Sequence, residues 1–267
     1  MQNTYDLEKH TLQDIDVYFD EDWHKYYIDG EEVMGVTKSS GMTKDTGFLA
    51  PWGAKAAATE ADKIFKQKRV DELKRVEYMD RIKGAFKKQQ KKGMDYGNVS
   101  HEFLHKWGQW KIGKGGLRPP SYSTLKKPEL VSREIKRTVK PFIDWSDDNK
   151  IIWTAAEQVV LYQGEGFRYC GTIDIRFEIN GLHAIGDYKT GTRVGINDAW
   201  QMAMYAMAVE QCFDVRVDRL YLFHLPKKGG RKSMKVIPFS RDMFRWEYAT
   251  YLAAIKAQEF RIKQAMK

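Results

Sequence analysis

Two aspartates and a lysine interrupt runs of sequence that otherwise read as strand. Asp174 follows Gly171-Thr172-Ile173, Asp187 closes the apolar run Leu182-His183-Ala184-Ile185-Gly186, and Lys189 stands two residues beyond. Asn180-Gly181, between the two runs, is a dipeptide that favours a two-residue hairpin turn. Pairing the strands across that turn sets residue 180 opposite 181, and therefore 174 opposite 187. Two carboxylates directly opposite on one hairpin repel each other unless a cation holds them. Hard divalent ions such as Mg²⁺ or Mn²⁺ take oxygen ligands of this kind. Side chains alternate along a strand, so Lys189 projects to the Asp187 face, where it could orient or deprotonate a water beside a metal. The competing reading is a hairpin whose acids face solvent and whose lysine pairs with one of them.

The elements that must hold these groups appear as a change of period along the chain. Tyr26-Tyr27-Ile28 and Val33-Met34-Gly35-Val36 flank Asp29-Gly30, which predicts an N-terminal hairpin, followed by a polar loop over 37–47. Residues 49–92 are mostly helix formers, with Pro51 suited to a first turn and breaks expected at Gly84 and Gly93. A further helix is predicted from about 96 to 111, with Phe103, Leu104 and Trp107 on its apolar side. Residues 113–130 hold three Gly and three Pro and read as a loop. Residues 151–162, 169–179 and 182–188 are β-rich, and 197–211 read as a helix capped by Asn197 or Asp198. Strands are predicted over 217–225 and 233–239, and Ser240 opens an amphipathic helix including Phe244, Tyr248, Tyr251, Leu252 and Ile255. This order predicts one α/β domain over 1–267: an acidic segment and hairpin to 48, a helical basic elaboration over 49–130, and a core over 131–267.

Charge narrows the function classes. The 267 residues carry 45 Lys+Arg against 36 Asp+Glu, a net of +9, but unevenly. Residues 1–32 hold ten acids against two lysines, whereas 63–92 hold twelve bases against four acids, and Lys227, Lys228, Arg231, Lys232 and Lys235 form a further basic cluster. Such clusters attract polyphosphate through counterion release, although a lysine-rich helix can equally be a solvated face. Two cysteines, Cys170 and Cys212, are too few for a disulfide framework, a four-thiolate zinc site or a four-cysteine iron–sulfur cluster. The first thirty residues are acidic without an apolar signal core, and no run approaches about 18 apolar residues, so a cytoplasmic protein without a membrane partner is expected.

Gly171-Thr172-Ile173-Asp174, a short hairpin and Asp187-Tyr188-Lys189 together resemble the signature of the PD-(D/E)XK nuclease superfamily, in its RecB-like exonuclease branch. Gly97-Asn98-Val99-Ser100-His101 resembles the upstream Gly-x-x-x-His element, and Glu157 matches an acid often found in the preceding strand. Gln201-Met202-Ala203-Met204-Tyr205 resembles the Gln-x-x-x-Tyr element of the following helix, both side chains sharing a face at i, i+4. Val36-Thr37 followed by Leu49 and Trp52 is similar to the opening of phage-type and mitochondrial exonucleases. Two departures stand out: Ile173 replaces the eponymous proline, and His105 occupies a position where related sequences often carry Glu.

The resemblance implies a restriction-endonuclease-like core, a central mixed sheet flanked by helices, and a metal-dependent DNA exonuclease of bacteriophage type acting in recombination, repair or degradation. It implies one or two Mg²⁺ or Mn²⁺ ions held by His101, Asp174, Asp187 and the Tyr188 backbone carbonyl. Asp174, Asp187 and Lys189 would be catalytic, with Glu157, Gln201 and Tyr205 in support. DNA is the implied partner, with room for a single-strand annealing or single-strand-binding protein. The alternatives are a non-catalytic DNA-binding recombination accessory protein and a structure-specific endonuclease of the same fold. Each residue also has a plainer reading: His101 as a buried helix histidine, Glu157 paired with an arginine, Gln201 and Tyr205 as packing. Trp107, Trp110 and Tyr122 read as core or as stacking platforms for unpaired bases. His10, His24, His183 and His224 have no matching partners and receive no role.

Overall fold

The computed structural model of the chain describes residues 7–21, 23–37, 49–66, 75–116, 118–191, 193–227 and 234–266. The acidic beginning, read from sequence as one hairpin, is a four-stranded antiparallel meander of β1 (Glu8–Leu12), β2 (Ile15–Asp20), β3 (Lys25–Ile28) and β4 (Glu31–Gly35). At the expected Asp29-Gly30 turn both residues are left-handed, φ 53° and 79°, as a primed hairpin turn requires. Gln13-Asp14 turns β1 into β2 at φ 51° and 62° without a glycine, so that hairpin leaves little trace in the sequence. Val17, Phe19, Tyr26, Ile28 and Val33 are buried here against Val159, Leu161 and Cys170.

Two helices follow, α1 (Leu49–Phe65) and α2 (Arg75–Lys111). The second runs unbroken through Gly84 and Gly93, where breaks were expected. A glycine inside a helix costs only about 1 kcal/mol relative to alanine, and packing between the helices offsets it. Trp52 meets Phe86 edge-on at 5.2 Å, Ala56, Ile64 and Ala85 are buried, and the Arg81 guanidinium donates twice to Glu60. At 1.5 Å per residue, its 37 residues span about 55 Å, so one end carries the elaboration and the other reaches the sheet. Gly108 permits that approach, because a Cβ there would lie 2.6 Å from the Ala156 Cβ.

Residues 131–150, unassigned from sequence, contain α3 (Arg133–Asp148), with the Ser132 hydroxyl accepting from the Ile135 N–H at 3.3 Å. Its buried Ile135, Val139 and Phe142 recur at helical spacing. The remaining elements are β5 (Ile152–Gly164), β6 (Phe167–Ile179), β7 (Leu182–Lys189), α4 (Ile196–Phe213), β8 (Arg219–His224), β9 (Lys235–Ser240) and α5 (Tyr248–Ala265). The last helix starts after a turn over 241–247 rather than at Ser240, and its buried side is Ala249, Ala253, Ala257 and Phe260. Small side chains let it lie close to the sheet, leaving Tyr248, Tyr251 and Ile255 of the expected amphipathic helix exposed. Similarly, α4 begins at Ile196 after Gly195, and Asp198 reaches back to accept the Gly195 N–H at 2.8 Å instead of occupying the cap itself.

The nine strands among the described residues join one sheet in the order β1-β2-β3-β4-β6-β7-β8-β9, with β5 paired to β6. Pairing is parallel at β4–β6 and β7–β8 and antiparallel elsewhere. Ile185, Leu220 and Leu222 pack under α4 and α5, whereas Ala184, Phe223 and Leu225 pack under α2 and α3. The architecture is therefore α/β, a central mixed sheet flanked by helices, with a helical N-terminal elaboration. Among the described residues no helix is long and apolar enough to cross a membrane.

Candidate active site

The pivot of the site is β6. One edge pairs with β5 along its length, while the other pairs with β4 at Tyr169 and Cys170 and with β7 from Ile175 to Ile179. The Asn180-Gly181 turn, φ 52° and 75°, sets the expected register as far as Ile175 opposite Gly186. Beyond that pair the ladder stops, and the Asp174 carboxylate takes over, its Oδ2 accepting the Tyr188 N–H at 2.7 Å. Past this fork β7 continues along β8, Tyr188 pairing with Phe223 and Lys189 with His224. Gly186 is required at the parting, since a Cβ there would lie 2.6 Å from the Phe223 ring and 2.8 Å from Ile175.

Asp187 and Lys189 face α4. Asp187 is buried, and its Oδ2 lies 2.8 Å from the Lys189 Nζ. The same Nζ donates to Gln201 Oε1 at 3.0 Å and lies 3.6 Å from Asp198 Oδ1. Gln201 is held in turn, its Nε2 donating to Tyr205 Oη at 3.2 Å and to Thr37 Oγ1 at 3.3 Å. Tyr205 fits only because residue 171 is glycine: a Cβ there would lie 2.4 Å from its ring. The i, i+4 pair on α4 thus forms one bonded chain ending on Lys189. Thr37 and Asp198 belong to this chain and were not singled out from sequence as site residues. Asp198 lies three residues before Gln201, a spacing that shares a helix face, whereas Thr37, part of the Val36-Thr37 opening element, is 164 positions from Gln201, so nothing local points to their contact.

His101 approaches from the opposite face on α2, its Nδ1 3.5 Å from Asp174 Oδ1 and its ring edge-on to Tyr188 at 5.7 Å. His105, one turn later, brings Nδ1 within 3.4 Å of Glu157 Oε2, so Glu157 faces a histidine rather than an arginine. Glu157 lies between the pairs Ala156–Ile175 and Gln158–Ile173, level with Asp174, and has a left-handed φ of 46° inside β5. A non-glycine residue held there stores roughly 1–3 kcal/mol, strain that tends to collect at functional sites.

The electrostatics follow from five ionisable groups crowded in a desolvated fork. Burial pushes Glu157 up to about 7, with the Asp174 charge adding to it. Burial likewise lifts Asp187 to about 6 despite the pull of Lys189, with Asp174 again contributing. Asp174 is lowered: burial opposes the charge, but His101, the Tyr188 N–H and Lys189 outweigh it. Burial would lower His101, yet Asp174 and Asp187 raise it to about 9. Lys189 is raised in the same way, burial being overcome by Asp187, Asp198 and Asp174.

The donor set suits a hard divalent ion: carboxylates from Asp174, Asp187 and Glu157, one imidazole, and the Tyr188 carbonyl. Both central acids already draw a cation from the chain, His101 at Asp174 and Lys189 at Asp187. As they stand, no three His, Cys, Asp or Glu side chains among the described residues form a group ready to hold an ion, so an ion would have to draw its ligands together. Other sequence candidates lie elsewhere. Tyr122 stacks on Phe103 at 4.0 Å and Trp107 packs against the core under α2 and α3, so these two are packing residues, while Trp110 lies against Trp107 at 5.0 Å with Lys111 over both rings. Lys83, Lys87, Lys88, Lys91 and Lys92 are exposed along α2. Lys228, Arg231 and Lys232 fall outside the described residues.

No family model matches the chain. Gene 69 protein of Mycobacterium phage L5 is 33% identical over 82 residues, 31% of this chain, and the match spans only 27% of that relative. Among solved structures, a candidate exonuclease from Eubacterium rectale superposes over 59% of this chain and 65% of its own, with 13% identity and a TM-score of 0.39. The protein SSO0001 superposes over 58% and 72%, with 11% identity and a TM-score of 0.30.

Proposed function

We propose that this chain is a Mg²⁺- or Mn²⁺-dependent deoxyribonuclease of the PD-(D/E)XK superfamily, in its RecB-like, phage-type branch, that hydrolyses DNA phosphodiesters from an end. The observation that carries this reading is the fork itself: Asp174 and Asp187 where β6 and β7 part, with Lys189 tied both to Asp187 and to Gln201. A purely structural hairpin has no need of a buried acid, a second acid half-buried beside it and a lysine anchored on a separate helix.

In this reading Asp174, Asp187, His101 and the Tyr188 carbonyl hold one or two ions. Held there, such an ion would supply Lewis-acid chemistry, polarising the scissile phosphate and lowering the pKa of an attacking water. Lys189, kept protonated among carboxylates and fixed by the Gln201 amide, orients the water and stabilises the charge that develops on phosphate. Tyr205 and Thr37 hold Gln201 against rotation, and Glu157 with His105 closes the opposite rim. The exposed α2 lysines form a basic wall along which a strand is guided. DNA recombination, repair or degradation, alone or with a single-strand annealing or single-strand-binding protein, is the setting that such an activity serves.

One observation favours a second reading. The acids are paired internally and no three-ligand group is preassembled among the described residues, as suits a DNA-binding accessory protein that cuts nothing. Linear and circular DNA incubated with Mg²⁺ or Mn²⁺, each beside an EDTA control, separate the possibilities. Shortening of linear DNA alone supports the exonuclease, cutting of circles points to an endonuclease, and binding without cleavage to the accessory protein.

A further inference from the structure

We infer that Trp23 and His24, just before β3, carry a subsite for a single unpaired nucleobase at the mouth of the fork. This rests on the nuclease reading above and adds to it a place for the base beside the phosphate that is cut. A cleft of about 240 Å³ opens here, lined by Trp23, His24, Tyr26, Glu32, Thr37 and Gly171 among others. That is roughly eight water volumes, room for one heterocycle and not for a base pair.

Three observations connect the cleft to the candidate centre. Its inner wall is shared with the chain that holds Lys189, since Thr37 bonds Gln201 and Gly171 lies against Tyr205. The Tyr26 hydroxyl lies 2.8 Å from the Thr172 hydroxyl, two residues from Asp174. The Trp23-His24 turn also sits within the field of the acids: His24 feels Asp174, and Glu157 feels Glu21.

The chemistry of the lining selects the ligand. Trp23 is 70% exposed at the mouth, a large indole offered to solvent on a turn that Asp20 pins by accepting the Trp23 N–H at 3.0 Å. An exposed aromatic beside a strand path is a stacking platform for any base. Lys25 is engaged by Glu32 at 3.1 Å, and Glu21 near the turn is paired with Lys126, so the cleft offers phosphate no unpaired lysine and suits a neutral ring. His24, given no role from sequence, packs edge-on to Phe19 at 5.2 Å and forms the side of the slot.

The test uses single-stranded oligonucleotides carrying 2-aminopurine at the 5′ end, the 3′ end or an interior position, bound to the intact protein with Ca²⁺. One terminal probe should change its fluorescence strongly on binding, the interior probe should not, and Trp23→Ala should abolish the terminal signal while Trp23→Phe keeps most of it. Cleavage is a separate arm. Trp23→Ala should raise KM about tenfold or more, an abasic terminal nucleotide should do the same to the wild-type protein, and combining the two should add nothing. Equal signals from terminal and interior probes, or additive losses, would overturn the subsite. Absence of cleavage by the wild-type protein would defeat the nuclease reading alone, since the fluorescence arm is read without turnover.

Discussion

The carboxylate of Asp174 accepts the backbone N–H of Tyr188 at 2.7 Å, so a side chain of β6 finishes a ladder that the two backbones abandon one pair earlier. This bond couples the fold to the site. It keeps the Tyr188 N–H satisfied where the strands separate, and it aims the other Asp174 oxygen at His101.

Asp174→Ala and Asp174→Asn are therefore expected to differ in stability and agree in activity. Alanine orphans the Tyr188 N–H and should cost about 1–3 kcal/mol, whereas asparagine keeps an acceptor and should cost less. Both should reduce DNA cleavage by about 10²-fold or more. Urea unfolding beside cleavage rates checks this, and equal stability of the two variants would contradict the assigned bond.

Gln201→Ala should leave Lys189 unanchored and lower kcat by about 10- to 100-fold with little change in DNA affinity. Tyr205→Phe, which removes one of two acceptors for the Gln201 amide, should produce a smaller loss in the same direction. Single-turnover cleavage and binding isotherms separate these effects, and a loss confined to affinity would count against a positioning role.

Gly171→Ala should destabilise the protein by about 1–3 kcal/mol, because its Cβ would press on the Tyr205 ring at 2.4 Å. Gly30→Ala meets no neighbour within 4 Å and carries only the strain of φ 79°. Of the two, only Gly171→Ala is expected also to impair cleavage, measured at a temperature where both variants are folded.

Replacing Lys83, Lys87, Lys88 and Lys91 by Gln should weaken DNA binding and flatten its salt dependence, by up to about 0.9 in logarithmic slope for each phosphate no longer neutralised. An unchanged slope would show that this face of α2 does not touch the backbone.

How much of the fold and site was legible in sequence follows from particular residues. Asn180-Gly181 is a local signal strong enough to set register as far as Ile175 opposite Gly186, but the expected pairing of Asp174 with Asp187 does not form, because the strands part there and Asp174 bonds the Tyr188 N–H instead. The α2 glycines misled because helix packing outweighs a small local penalty. The β1–β2 hairpin was hidden because Gln13 and Asp14 adopt left-handed geometry without glycine, although Ser132, Ile135, Val139 and Phe142 carried a readable signal for α3. Thr37 reaching Gln201, and the left-handed backbone of Glu157, arise from the meeting of distant segments, which no local pattern encodes.

In the proposed reading Lys189, half-buried beside Asp187, serves cleavage rather than folding. End-labelled linear DNA, Mg²⁺ and matched samples of wild-type protein and Lys189→Ala, both verified as folded by their unfolding curves, test it most directly. Metal-dependent shortening by the wild type, with a loss of about 10²-fold or more in the variant, is the predicted result. Undiminished shortening by the folded variant, or cleavage that persists in EDTA, would contradict it.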